Sequence, residues 1–520
     1  MNARSYPSAL IMSIVLLGAA PAWVPSEGVG QVHMPISCNA VQAEFDRGLA
    51  LLHSFWYDRS RAVFDDTISR EPQCQIAYWG AAMTLNHPLW GPPSASDRKA
   101  ALAYIARGRE ASIYSDRESK YFAAVTTLFG NGKAEGKAER DNAYMKKMAE
   151  NYASFPDDET ALFYALSLEG APGYRKDPKR IEYTGSLLAA VHAHQPKHPG
   201  AIHYTIHAYD EPGYEQRALE AAREYAASAP SIPHALHMPS HTFLALGLWD
   251  EANKTNRRAF AASEGSVRAA NEPDYDRDFH TLWFLIYGDL QSGDVREARH
   301  FTQVALTEYE KVIKLYQTMP EEQADDTFDV DELASCLTTY AFETSDFSFA
   351  RHVTTTGLDG PYLAAQAEAS AFAALANHDV SAVKSARARL IGYRRDIGSS
   401  WPKAALLMEI AEAEIDGRLA IASGDRASGL AYLRSASYIE SQLLPAGIGV
   451  PQPIFIPPAH EMLGLQLLRE RQDADANQVL SAALLLTPNR PKAVRGRALA
   501  VTGCRQTRAA CGETTRLTSR

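Results

Sequence analysis

A 34-residue recurrence limits this chain to folds assembled from one repeated helical unit. The phrase Gly213-Tyr214-Glu215-Gln216-Arg217-Ala218 returns as Gly247-Leu248-Trp249-Asp250-Glu251-Ala252, with glycine and alanine each displaced by 34 residues. It returns again, after an insertion, as Gly293-Asp294-Val295-Arg296-Glu297-Ala298. Each glycine is expected to end an amphipathic helix. The alanine five residues on is expected to let the next helix pack closely. No alternating apolar and polar run competes for β-structure.

Similar wording occurs elsewhere, in Phe55-Trp56-Tyr57-Asp58-Arg59-Ser60 followed by Phe64 and Pro72, and in Ser423-Gly424-Asp425-Arg426-Ala427. Gly464, Ala476, Ala483 and Pro488 have the spacing of one full unit. On these residues the chain resembles the tetratricopeptide repeat (TPR) family over residues 38–501. It departs from the pattern at Ala222 and Asn256, which stand where a large aromatic is usual, and at 320–331 and 444–458, which interrupt the period. The resemblance implies an all-α, right-handed superhelical solenoid of antiparallel helix pairs, with the first helix of each pair lining a concave groove. Each unit would bury its apolar stripe against its neighbours. An irregular α-bundle is the alternative. The expected organisation is a signal peptide (1–22), an N-terminal array with a His-rich groove (38–310), an irregular helical insertion (311–360), a C-terminal array (361–501) and a tail (502–520).

The first residues read as a targeting segment. Arg4 precedes an apolar stretch over 9–20 that is too short to span a bilayer, and Ala20-Pro21-Ala22 supplies small residues for cleavage. An uncleaved anchor is the alternative. No later stretch is apolar enough to span a membrane, so the mature chain is expected to be exported, periplasmic or secreted. Export permits disulfides among Cys38, Cys74, Cys336, Cys504 and Cys511. Within the repeat resemblance, Cys38 and Cys74 each precede the first helix of consecutive units, which favours a bridge over two buried thiols. Cys504 and Cys511 can close a small C-terminal loop. The formal charge of −10 argues against nucleic acid and anionic membrane as partners, because both call for a concentrated cationic surface.

The 16 histidines include a set in register. His203 and His207 lie ten and six residues before Gly213, and His237 and His241 lie ten and six before Gly247. His234 and His280 lie thirteen before Gly247 and Gly293, and Asp210 and Glu211 three and two before Gly213. Offsets of thirteen, ten, six and three share one helical face. The apolar stripe of Ile202, Ile206, Leu236, Leu282 and Ile286 is one residue out of phase with it. By the resemblance, the histidine face lines the groove.

Imidazoles at i and i+4 can chelate a transition ion. His203, His207, His237 and His241, with His280 and Asp210, are therefore candidate ligands for one ion per chain. Zn, Cu or Fe fits such donors better than Mg or Ca. His234, Glu211, Tyr287 and Trp283 are expected in the same groove, with Asp210 as ligand, orienter, general base or helix cap. Met238 is read as core. His53 and His87, with Trp56, Trp79 and Trp90, form a candidate aromatic pocket. His460 is read as a core residue, and His192, His194 and His198 as solvated.

There is no GxxxxGK[ST], GxSxG or HExxH motif. Two function classes follow. One is a scaffold that binds a peptide, protein or small molecule in its groove, with or without a metal. The other is a hydrolytic or oxidative metalloenzyme on the same frame. The blocks Ala77-Tyr78-Trp79-Gly80 and His237-Met238-Pro239-Ser240-His241 are similar to those of exported repeat proteins of unassigned role.

Overall fold

A computed structural model describes residues 24–89, 91–130, 136–325, 327–397, 401–443 and 453–507. The expected signal peptide, Trp90, Cys511 and most of the Pro-rich interruption lie outside the described residues. The described residues form helices from Gln42–His53 to Pro491–Thr507, and their one extended pairing is an isolated bridge between Cys74 and Ile113. Helices pack on the next in sequence and repeatedly on the next but one, as expected of a TPR-like solenoid of stacked hairpins. None of the helices is long and apolar enough to cross a membrane.

The repeated phrase acts as its spacing predicts. Gly213, Gly247 and Gly293 have φ of 90°, 67° and 87°, a left-handed turn that glycine makes without steric cost. Ala218, Ala252 and Ala298 are fully buried where consecutive helices meet. Ile202, Ile206, Leu236, Leu282 and Ile286 are core residues, as is Met238. Cys38 and Cys74 form a disulfide with Cα atoms 5.8 Å apart, joining the first two hairpins. Cys336 is buried as a free thiol.

The array is not purely nearest-neighbour. The turn before Pro491–Thr507 returns to the middle of the chain. Trp249 Nε1 donates to the Asn489 carbonyl at 3.2 Å, and Asn489 Nδ2 donates to the Leu246 carbonyl at 3.3 Å. A side chain at Gly247 would lie 2.4 Å from the Pro488 carbonyl oxygen, so this glycine serves both its own turn and the closure. Arg490 is fully buried and bonds to Tyr287, Glu343 and Glu461. These contacts tie the last helices to the central ones.

Candidate metal centre

The histidines in register occupy four helices around the centre of the array. His203 and His207 lie on Pro199–Ala208, His234 and His237 on Pro233–His237, His241 on Pro239–Ala245, and His280 on Phe279–Ser292. Pro239 cannot donate the backbone hydrogen bond a continuous helix needs, so the chain steps at Met238 between two short helices. The expected i,i+4 contact survives, with His237 Nε2 and His241 Nε2 3.1 Å apart.

The grouping differs from the single four-histidine set expected from register. His203, His207 and His234 form one triad, and His237, His241 and His280 form a second. Within each, one nitrogen from every ring lies within 4.8 Å of one nitrogen from each of the others. The shift arises because His234, one helical turn before His237, reaches back to place its Nε2 3.2 Å from that of His203. His280 takes the corresponding place beside His237, with ring centroids 4.9 Å apart. The triads adjoin, with the His234 and His237 centroids at 6.2 Å.

The far side of these rings is hydrogen-bonded. His203 Nδ1 donates to the His53 carbonyl at 2.7 Å, which fixes its proton on Nδ1 and turns the Nε2 lone pair toward His234. In the second triad, Nδ1 of His237 meets Asn256 Oδ1 at 2.9 Å, Nδ1 of His241 meets Asp210 Oδ2 at 3.2 Å, and Nδ1 of His280 meets Glu332 Oε1 at 3.0 Å. A neutral imidazole that donates from Nδ1 offers Nε2 as a base. This is how outer groups orient metal-binding histidines. Asp210 therefore stands behind His241 as an orienter. Glu332, Asn256 and the His53 carbonyl escape sequence reasoning, although Asn256 was visible as a departure from the repeat pattern.

The face is also less open than a groove. His203 and His237 are fully buried, and His207, His234, His241 and His280 are half-buried. Phe55 lies against the first triad, its centroid 4.4, 5.5 and 5.9 Å from those of His203, His207 and His234. Phe284 lies against the second, 4.7, 4.8 and 4.6 Å from His237, His241 and His280. Phe55 has φ of 55°, a left-handed backbone uncommon for a bulky residue.

Burial lowers the basicity of His203 to about 3. It also lowers His207, His234 and His237, with the neighbouring imidazoles adding to the effect. Burial opposes protonation at His280 too, but the Glu332 carboxylate outweighs it and raises this ring to about 9. Burial favours the protonated form of Asp210, yet contact with His241 holds it below its ordinary value. Burial raises Glu211 to about 7 against the opposing charge of Arg175, with which it pairs at 3.1 Å.

The remaining sequence-selected residues separate from the triads. Trp283 donates to Thr339 Oγ1 at 2.8 Å and is covered by Phe455, and Tyr287 is buried against Arg490. Neither floors an open groove, because the chain's own later segments fill that space. His53 and His87 do not share a pocket. His87 stacks on Tyr57, whereas fully buried His53 bonds to Glu159 and Tyr204. His198 is buried rather than solvated, and its Nε2 donates to Glu159 at 2.9 Å while Nδ1 accepts from the Gly200 amide. The His53–Glu159–His198 group is thus a closed hydrogen-bonded network behind His203. His460 is buried on Glu440, as expected of a satisfied core histidine.

No family model matches the chain, and no curated protein matches it. Among solved structures, it is similar to yeast Tom70 at 9% identity and a TM-score of 0.30, over 90% of this chain and 89% of that one. The pairing of consecutive helices within the chain defines its TPR-like fold.

Proposed function

We propose that the protein is an exported TPR-like scaffold whose centre binds a transition ion, Zn, Cu or Fe, through His237, His241 and His280. The observation that supports this reading is the arrangement of hydrogen-bond partners. Three imidazoles converge while Asn256, Asp210 and Glu332 meet their Nδ1 atoms, so the Nε2 atoms are left to an ion, which displaces the proton that Glu332 stabilises on His280. Three protein donors leave an ion an open position, as catalytic centres do and closed structural sites do not. The half-buried His280 provides the side from which a ligand or substrate arrives.

The scaffold reading includes a partner-binding role for the helical array. It is favoured by a separate cavity of about 500 Å³, walled by Phe342, Phe372, Ile421 and Leu465, with Arg418 and the Lys492–Glu343 ion pair on it. That composition suits a peptide or small molecule with an apolar body and polar groups.

Elemental analysis of protein purified without a histidine tag tests the metal reading. The expected result is bound transition metal, with the second-triad ion lost in the His237→Ala, His241→Ala double variant. Protein that stays metal-free after incubation with Zn, Cu and Fe salts would leave only the partner-binding scaffold.

A further inference from the structure

We propose that the two histidine triads act together as one two-copper centre whose substrate is dioxygen. The proposal rests on the metal reading above and extends it to a second ion and a reaction.

Both triads present imidazole alone, and the nearby carboxylates Asp210 and Glu332 lie against Nδ1 atoms, away from the point of convergence. All-nitrogen sites without thiolate or carboxylate suit copper, which also heads the affinity order of the divalent first-row ions. Two imidazole nitrogens bound at about 2.0 Å in tetrahedral geometry stand about 3.3 Å apart. The closest pairs, His203 with His234 and His237 with His241, stand at 3.2 and 3.1 Å. In each pair at least one neutral ring points a lone pair at its neighbour, and a shared cation makes that contact favourable.

His234 and His237 are separated by three positions on one short helix and belong to different triads. The ring centroids of His234 and His237 stand 6.2 Å apart, so the two triads adjoin. Ions in the two sites would therefore sense each other directly. The repeat explains the duplication: His203 and His207 recur 34 residues later as His237 and His241, so each pair founds one triad, which His234 or His280 from the following hairpin completes.

Phe55 and Phe284 each touch all three rings of one triad, and neither carries a titratable group. They exclude water from the donor atoms on that side. The unusual φ of Phe55 shows that an aromatic ring occupies a turn position that ordinarily goes to glycine or asparagine.

The chemistry balances without a further reactant. Two Cu(I) ions each give up one electron to become Cu(II), and one dioxygen takes both electrons to become peroxide held between them. No proton moves and no bond of the protein breaks.

The test uses the full tag-free chain, loaded with Cu(I) without oxygen and then exposed to it. The expected result is two copper ions and one dioxygen consumed per chain. The Cu(II) electron paramagnetic resonance signal should fall far below two spins, because the two ions couple. His234→Gln is expected to bind one copper, to show close to one full spin on oxidation and to lose the stoichiometric oxygen uptake. One copper per wild-type chain would overturn the proposal and leave the single-ion reading standing. Two copper ions with a two-spin signal would overturn it in favour of independent sites. No copper would overturn both, and the wild-type counts decide this even if the variant fails to fold.

Discussion

Asn256 Oδ1 meets His237 Nδ1 at 2.9 Å from a position where a repeat of this kind carries a large aromatic. Asn256 is fully buried in the middle of the helix Trp249–Ala270, where asparagine is a poor helix former. Its cost to the helix is offset by the orientation it gives an imidazole. Asn256→Leu is expected to retain the fold and to weaken metal binding at the second triad by about 10- to 100-fold. Competition titration against a chromophoric chelator measures this, and unchanged affinity would show that the amide does not orient the ring.

The Cys38–Cys74 bridge should secure the first two hairpins against each other. Its 36-residue sequence separation implies a stabilisation of about 2–4 kcal/mol, mainly by restricting the unfolded chain. Thermal unfolding of the Cys38→Ser, Cys74→Ser double variant should begin at lower temperature, with residues of the first hairpin exchanging amide protons fastest. Equal unfolding curves would contradict a structural role.

Arg490 is expected to be the largest single contributor to closure of the array. It donates to Glu461 at 2.9 and 2.8 Å, to Glu343 at 2.9 Å and to the Tyr287 hydroxyl at 2.8 Å, all in the interior. Burial disfavours a charged Glu343, yet Arg490 and Lys492 hold it below the usual carboxylate range. Arg490→Ala strands these carboxylates and should cost about 3–5 kcal/mol. Arg490→Lys should recover little, because one ammonium cannot span the fork of acceptors. Limited proteolysis near Asn489 reports the opening, and wild-type resistance in Arg490→Ala would refute it.

Glu368 and Glu414 give the fold a stability that depends on pH. Burial raises Glu368 to about 8 against the opposing charge of Arg418, and burial together with Glu368 pushes Glu414 well above its ordinary value. Both are raised above the unfolded value of 4.5, so the folded state binds more protons than the unfolded state between these limits. Stability from this pair is full below about pH 4.5 and declines as pH rises through about 8. Glu414→Gln, which cannot ionise, should flatten the alkaline decline in a denaturant series. A variant as steep as wild type would exclude the pair as its source.

The period, the turn glycines, the close-packing alanines, the disulfide and the histidine register were all legible in sequence, because each depends on spacing within one unit or between adjacent units. The division into two triads was not. Register pairs His203 and His207 with His237 and His241, but the step at Pro239 and the reach of His234 and His280 depend on how neighbouring hairpins tilt. Phase also placed Trp283 and Tyr287 on the histidine face. It carried no information about Phe455 and Arg490, which arrive from more than 150 residues downstream to cover them. Glu332, 52 residues after His280, and Phe55, upstream of its triad, also join the site from other hairpins. His198 looked like a loop residue until Glu159 provided a buried partner.

The most direct measurement is an anomalous difference map from a crystal of tag-free protein loaded with copper or zinc. The expected result is a peak within about 2.0–2.1 Å of nitrogens from His237, His241 and His280, inside the ring of Asn256, Asp210 and Glu332. An ordered, fully loaded crystal with no density among those three imidazoles, or with metal only at exposed surface groups, would contradict it.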